Sequence, residues 1–137
     1  MENAGKYVVI DTDILVDMLR GLDRAVTFIA ELEKNLTLST TIINAFELYY
    51  GAYRSKKKSQ NLAAARKLLE KIIVLKMSLK SAEKAGQIYA ELEAKGQPIG
   101  IRDAMVGAIA LTRGCTLVTR NIVHFQKIEG LNLMRAP

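Results

Sequence analysis

Tyr7-Val8-Val9-Ile10-Asp11-Thr12-Asp13-Ile14-Leu15-Val16-Asp17 is the stretch on which the fold turns. An apolar run rich in β-branched residues stops at an acid, and a helical pattern begins at once. Such a run predicts a short buried strand. Asp11 then falls at the strand's carboxyl end, the edge where open α/β sheets bind their ligands. Ile14, Leu15, Met18 and Leu19 give the following helix an apolar stripe, and Gly21 stops it. Either Thr12 or Asp13 can cap that helix.

The same alternation continues outward. Asp23 caps a second helix running to about Lys34, with Val26, Phe28, Ile29 and Leu32 as its apolar residues. Leu36 to Thr40 alternates with period two and predicts a strand. A helix from Ile42 to about Tyr53 follows, capped by Thr40 or Thr41, and places Asn44, Glu47, Leu48 and Gly51 on one face. That face surrounds Glu47 with small or apolar neighbours. Beyond the basic segment 54–59, a helix is expected from Gln60 to Ile72 and a strand at Ile73 to Leu75. Ser78 or Ser81 opens a helix to Lys95, ended by Gly96 with Pro98 beyond. Ile101 to Leu111 is apolar nearly all round, as a buried helix is. Asp103 is the exception, in the first turn. Thr116 to Thr119 predicts a fourth strand, Asn121 to Gln126 a short helix and Leu131 to Met134 an edge strand. Alternating strands and helices imply a parallel sheet covered on both faces, in one domain spanning residues 1–137.

Composition narrows the chemistry. Of 137 residues half are hydrophobic and a quarter charged, a globular balance. No apolar run approaches a membrane span, and the first six residues lack a signal peptide's apolar core. A cytoplasmic protein without membrane partners is the expectation. The single cysteine, Cys115, excludes an internal disulfide and reads as a small buried side chain. With only one histidine, His124, a Cys/His zinc site is close to excluded. A bound metal would be held by oxygens, which points to Mg²⁺ or Mn²⁺. His124 itself reads as a packing or hydrogen-bonding residue. The formal net charge of +6 permits phosphate contacts with nucleic acid. The Lys56–Lys58 run alone reads as a solvated loop.

Four polar residues stand in apolar settings: Asp11, Glu47, Asp103 and Asn121. Parallel topology sends Asp11 and Asn121 to the carboxyl edge of the sheet, and Asp103 heads a helix that starts near it. Glu47 lies two turns into its helix. Carboxylates forced together repel, and a divalent cation relieves the repulsion. Mg²⁺ also takes phosphate oxygens and water as ligands, the requirement of a phosphodiester displacement. Plainer roles exist for each: Asp11 and Asn121 as helix caps, Asp103 as a helix-dipole acid, Glu47 as a solvent-facing residue. Asp17 reads as solvated.

Val9-Ile10-Asp11-Thr12-Asp13-Ile14-Leu15, Asn44-Ala45-Phe46-Glu47-Leu48, Ile101-Arg102-Asp103-Ala104 and Leu117-Val118-Thr119-Arg120-Asn121-Ile122-Val123-His124-Phe125 together resemble the signature blocks of PIN domains. Among these the chain is similar to the VapC-type ribonuclease toxins of prokaryotic toxin–antitoxin pairs. The resemblance covers essentially the whole chain. It implies a three-layer α/β/α sandwich with a mainly parallel central sheet, and Mg²⁺- or Mn²⁺-dependent endoribonuclease activity. It implies Asp11, Glu47 and Asp103 as the catalytic acids, with Asp11 and Asp103 as metal ligands and Thr12 and Thr119 in support. Asn121 stands where many relatives carry a fourth acid, which leaves a second metal open. An RNA substrate, a cognate antitoxin and a homodimer are the implied partners, and Tyr49, Tyr50 and Tyr53 are candidates for the antitoxin contact.

Competing readings are weaker. A phosphoacceptor signalling domain needs an acid after the third strand, where Leu75-Lys76-Met77-Ser78 has none. An Asp-nucleophile phosphatase, suggested by Asp11-Thr12-Asp13, would need lysine-bearing and further acidic motifs that are not evident. A PIN domain kept only to bind RNA or protein is the remaining alternative.

Overall fold

The computed structural model describes residues 7–137. Five strands form the sheet: β1 (Tyr7–Ile10), β2 (Thr37–Thr41), β3 (Ile73–Leu75), β4 (Thr116–Thr119) and β5 (Leu133–Arg135). Their order is β3-β2-β1-β4-β5, and every neighbouring pair is parallel. The expected mainly parallel sheet is thus wholly parallel among the described residues. β1 lies at its centre because it is apolar on both faces.

Side chains alternate across the two central strands. Val9 and Leu117 enter the core beneath α5 (Leu79–Ala94), α6 (Ile101–Thr112) and α7 (Ile122–Phe125). Val8, Ile10 and Val118 enter the opposite core, beneath α1 (Thr12–Leu19), α2 (Asp23–Glu33) and α4 (Lys58–Lys71), with Leu48 from α3 (Ile42–Arg54). The result is the expected three-layer sandwich. Val8, Val9 and Ile10 are at most 1% exposed, and each such burial contributes roughly 1.5–3 kcal/mol. Four short residues of β1 therefore tie both cores together.

Turn chemistry sets the helix ends. Gly21 and Gly96 take φ of 72° and 69° just past α1 and α5, a left-handed conformation that other residues adopt only with strain. Ser78 and Ser81 form a capping box at the start of α5. α4 begins at Lys58, two residues before the expected start, so the basic break shrinks to a short turn. In α2 the buried residues are Ala25 and Ile29, whereas Val26 is exposed. The stripe is thus one position out of phase with the expected one at that point. No helix among the described residues is long and apolar enough to cross a membrane.

Candidate active site

At the carboxyl edge of the sheet an open cleft of about 550 Å³ is lined by Asp11, Glu47, Asp103, Thr12, Asn121 and two arginines. Asp11 leaves β1 with its backbone N–H still donating to Val118 O (3.0 Å), so the sheet ladder extends through it. Neither Thr12 nor Asp13 is the cap of α1. Asp11 is, and its Oδ1 accepts from Thr12 N at 2.9 Å. Capping and site membership coexist because a carboxylate has lone pairs for both. Thr119, fully buried at the end of β4, donates from Oγ1 to Asp11 Oδ2 (2.7 Å) and accepts from Asn121 N (3.0 Å).

Glu47 reaches the cleft from the second turn of α3. Its surroundings are polar, contrary to the small and apolar neighbours that helical spacing implied. Thr12 Oγ1 donates to Glu47 Oε1 at 2.5 Å, and Arg102 approaches the same carboxylate. Helical spacing named the neighbours on Glu47's own helix, whereas the tip of a long side chain meets residues of other elements. The orientation of α3 is fixed by Thr41, whose side chain caps the helix in a capping box with Asn44. Asn44 Oδ1 accepts from Thr41 N (3.1 Å) and from Thr41 Oγ1 (2.6 Å). That bonding turns the amide's Nδ2 outward, where it donates to Asp11 Oδ1 (3.2 Å) and Thr12 Oγ1 (2.8 Å). Asn44 is 0% exposed.

Asp103 sits in the first turn of α6, 8% exposed, where the helix N-terminus favours an anion. Its Oδ1 accepts from Arg102 Nη1 at 2.8 Å, and its Oδ2 lies 3.6 Å from His124 Nδ1. That separation is too long for a hydrogen bond. His124 is half exposed beside Asp103, and among the described residues it is neither packed in the core nor hydrogen-bonded. Asn121 is exposed at the rim and makes no side-chain cap bond to α7. Asp17, expected in solvent, instead pairs with Arg120, whose Nη2 also donates to Asp13 O.

Arg102 went unassigned in the sequence, yet its guanidinium is the centre of the cluster. Nη2 donates to Asp11 Oδ1 (2.6 Å) and Glu47 Oε1 (2.7 Å), Nε to Glu47 Oε2 (3.0 Å), and Nη1 to Asp103. Burial works against its charge. Hydrogen bonding to Glu47 and the charge of Asp11 outweigh that, with smaller help from Asp103, and hold the guanidinium protonated far above its ordinary range. The adjacency of Arg102 to Asp103 was visible in sequence, but an arginine in a first turn normally reads as solvated. Asn44 was visible too, as the third residue after a capping threonine. No buried side-chain polar atom among the described residues lacks a partner.

The donor set is all oxygen and anionic, chemistry that fits Mg²⁺ or Mn²⁺. Among the described residues, no three Asp, Glu, His or Cys side chains close to the spacing of ligands round one ion. The guanidinium lies between the three acids. Cys115 is buried just before β4, and burial pushes its thiol up despite the charge of Arg113.

These features converge with three comparisons. The model of the PIN domain family matches residues 8–131. The chain is 37% identical over 102 residues to ribonuclease VapC2 of Rickettsia felis, covering 74% of this chain and 76% of that protein. It is 37% identical over 91 residues to the tRNA(fMet)-specific endonuclease VapC of Salmonella typhimurium, covering 66% and 69%. The fold superposes with a TM-score of 0.88 on a chain of the Rickettsia felis VapBC2 crystal structure, solved bound to a DNA fragment from their promoter, at 32% identity and with 96% and 99% of the two chains covered. The chain therefore belongs to the PIN-domain family, and within it to the VapC group.

Proposed function

We propose that this chain is a metal-dependent endoribonuclease and the toxin of a VapBC-type pair. One observation carries the chemistry: carboxylates from β1, α3 and α6 meet around a single positive centre in an open cleft. Acids brought together from distant parts of a chain suit a divalent cation better than any structural purpose, since their mutual repulsion costs stability. Asp11 and Asp103, the more buried pair, would hold Mg²⁺ or Mn²⁺, which when bound polarises a phosphodiester and lowers the pKa of water. Glu47, about 30% exposed, would orient or deprotonate the attacking water. Thr119 and Asn44 fix the direction of the Asp11 carboxylate. Thr12 ties Glu47 to the start of α1, and Asn121 and Arg120 offer polar contacts for the RNA strand at the rim.

The ribonuclease and tRNA(fMet)-specific endonuclease names of the relatives support RNA hydrolysis, and make transfer RNA the first substrate to test. The VapBC2 likeness supports an antitoxin partner. Of the three tyrosines, Tyr49 packs into the core, whereas Tyr50 and Tyr53 are exposed. Phe46, 64% exposed, stacks on Tyr50 at 6.1 Å, so the aromatic surface beside Glu47 is Phe46, Tyr50 and Tyr53. That surface suits the antitoxin. A homodimer and a cytoplasmic location belong to the same reading.

Cleavage-site mapping on total RNA with Mg²⁺ tests it. Wild-type protein is expected to cut at defined positions, and Asp11→Asn and Asp103→Asn to leave RNA intact with unchanged circular dichroism. Full Mg²⁺-dependent cleavage by both variants would overturn the assignment. No cleavage by wild-type protein would favour a binding module.

A further inference from the structure

We infer that Arg102 is a resident counter-cation of the carboxylate cluster, which must leave those oxygens for a divalent ion to bind, and so sets the site's metal affinity. This rests on the metal-dependent reading above and extends it to a residue with no assigned role.

The contacts carry the inference. Every acceptor of the Arg102 side chain is Asp11, Thr12, Glu47 or Asp103. Among the described residues, nothing outside the site holds the guanidinium. All three of its nitrogens are used: Nε on Glu47, Nη1 on Asp103, and Nη2 on Asp11, Thr12 and Glu47. It takes Asp11 Oδ1, both oxygens of Glu47 and Asp103 Oδ1, all on carboxylates that line the cleft; Asp11 Oδ1 also accepts from Thr12 N and Asn44 Nδ2, and Asp11 Oδ2 from Thr119. A divalent ion and the guanidinium therefore compete for the same lone pairs. A guanidinium is planar and much wider than Mg²⁺, consistent with acids held apart rather than closed to ion spacing.

The exchange is also mechanically open. Arg102 is at the second position of α6, and its side chain is 29% exposed at the mouth of the cleft. Rotation about its unbranched stem would carry the guanidinium outward. Asp11 and Asp103 remain fixed meanwhile by Thr119, Asn44 and the helix terminus. Arg102 leaving alone would strand partly buried acids, so departure and ion binding are coupled. A site whose competent state is only a minor fraction binds its ligand more weakly by that fraction.

Equilibrium binding of Mn²⁺, read from the electron paramagnetic resonance signal of the free ion, tests this without RNA or turnover. Arg102→Gln is expected to bind Mn²⁺ about tenfold more tightly than wild-type protein, the effect of freeing a site competent about one-tenth of the time. Arg102→Lys retains charge but contacts as a single point, so its affinity should fall between the two. Thermal melts give a second readout. Arg102→Gln should melt below wild type in EDTA and gain more from Mn²⁺. If Arg102→Gln fails to fold in EDTA, Arg102→Lys carries the comparison alone. Equal or weaker Mn²⁺ binding by the variants, with wild-type protein binding normally, would overturn the role of Arg102 and leave the metal reading intact. Absence of Mn²⁺ binding in all three proteins would overturn both.

Discussion

The two halves of the site are built differently. Asp11, Thr119 and Asn44 form a buried half at the ends of β1, β4 and the start of α3. Each is at most 5% exposed, and each is tied to backbone or to a cap. Glu47, Arg102 and His124 form a helix-borne half, on side chains 29–50% exposed: Arg102 pairs with Glu47, and Arg102 and His124 both approach Asp103. The difference teaches where rigidity is placed. The sheet supplies one carboxylate whose direction is fixed, and the helices supply charges that can rearrange around it. Pre-organised groups in a dry setting stabilise developing charge without reorganisation, whereas under the proposed function the outer groups would admit a strand of RNA and an ion.

This contrast can be broken by experiment. The largest separation is expected between Asp11→Asn and Glu47→Gln, measured as single-turnover cleavage. Loss of the fixed carboxylate, the proposed ion ligand, is expected to remove several kcal/mol of transition-state stabilisation, about a thousandfold or more in rate. Glu47→Gln keeps the side chain's shape and should cost about a hundredfold, within the range of a general base. Equal losses would mean that the two halves act as one unit. Next comes Asn44→Ala, which removes the capping box and a hydrogen bond to Asp11. It should lower stability by about 1–2 kcal/mol in urea unfolding. It should also weaken Mn²⁺ binding about 10- to 100-fold, the usual effect of losing a group that orients a metal ligand. A stability loss without any change in ion binding would confine Asn44 to capping. The smallest effect is expected for His124→Ala: under about 0.5 kcal/mol, since a half-exposed pair at 3.6 Å is weakened by solvent. A clearly larger drop in melting temperature would move His124 into the fixed half.

The same contrast explains what could be read without coordinates. β1 was legible because a β-branched run buried on both faces has few alternatives, and the sheet followed from alternation. Asp11 and Asp103 were legible because an acid among apolar residues demands a reason. Glu47 was found, but its neighbours were wrong, because helical spacing describes one helix and not what lies across a cleft. Arg102 and Asn44 were missed for related reasons. An arginine's reach spans several elements, so its destination is a tertiary fact. Asn44's role depends on which way its amide is turned, and Thr41 decides that only once α3 is docked. The α2 stripe failed more simply, since Val26 and Ala25 are adjacent and only packing chooses between them.

Asn44 carries one further consequence. The partner most often found three residues after a capping threonine is glutamate or glutamine, whose longer side chain closes the box more fully. At this position a glutamate would set another anion beside Asp11, and the amide that now steers Asp11 and Thr12 would be gone. A redesign guided by helix stability alone would therefore choose this very substitution, improving the start of α3 while dismantling the cleft that α3 serves. The helix is held at a less than optimal cap, and its shortfall as a helix is what makes it useful to the site.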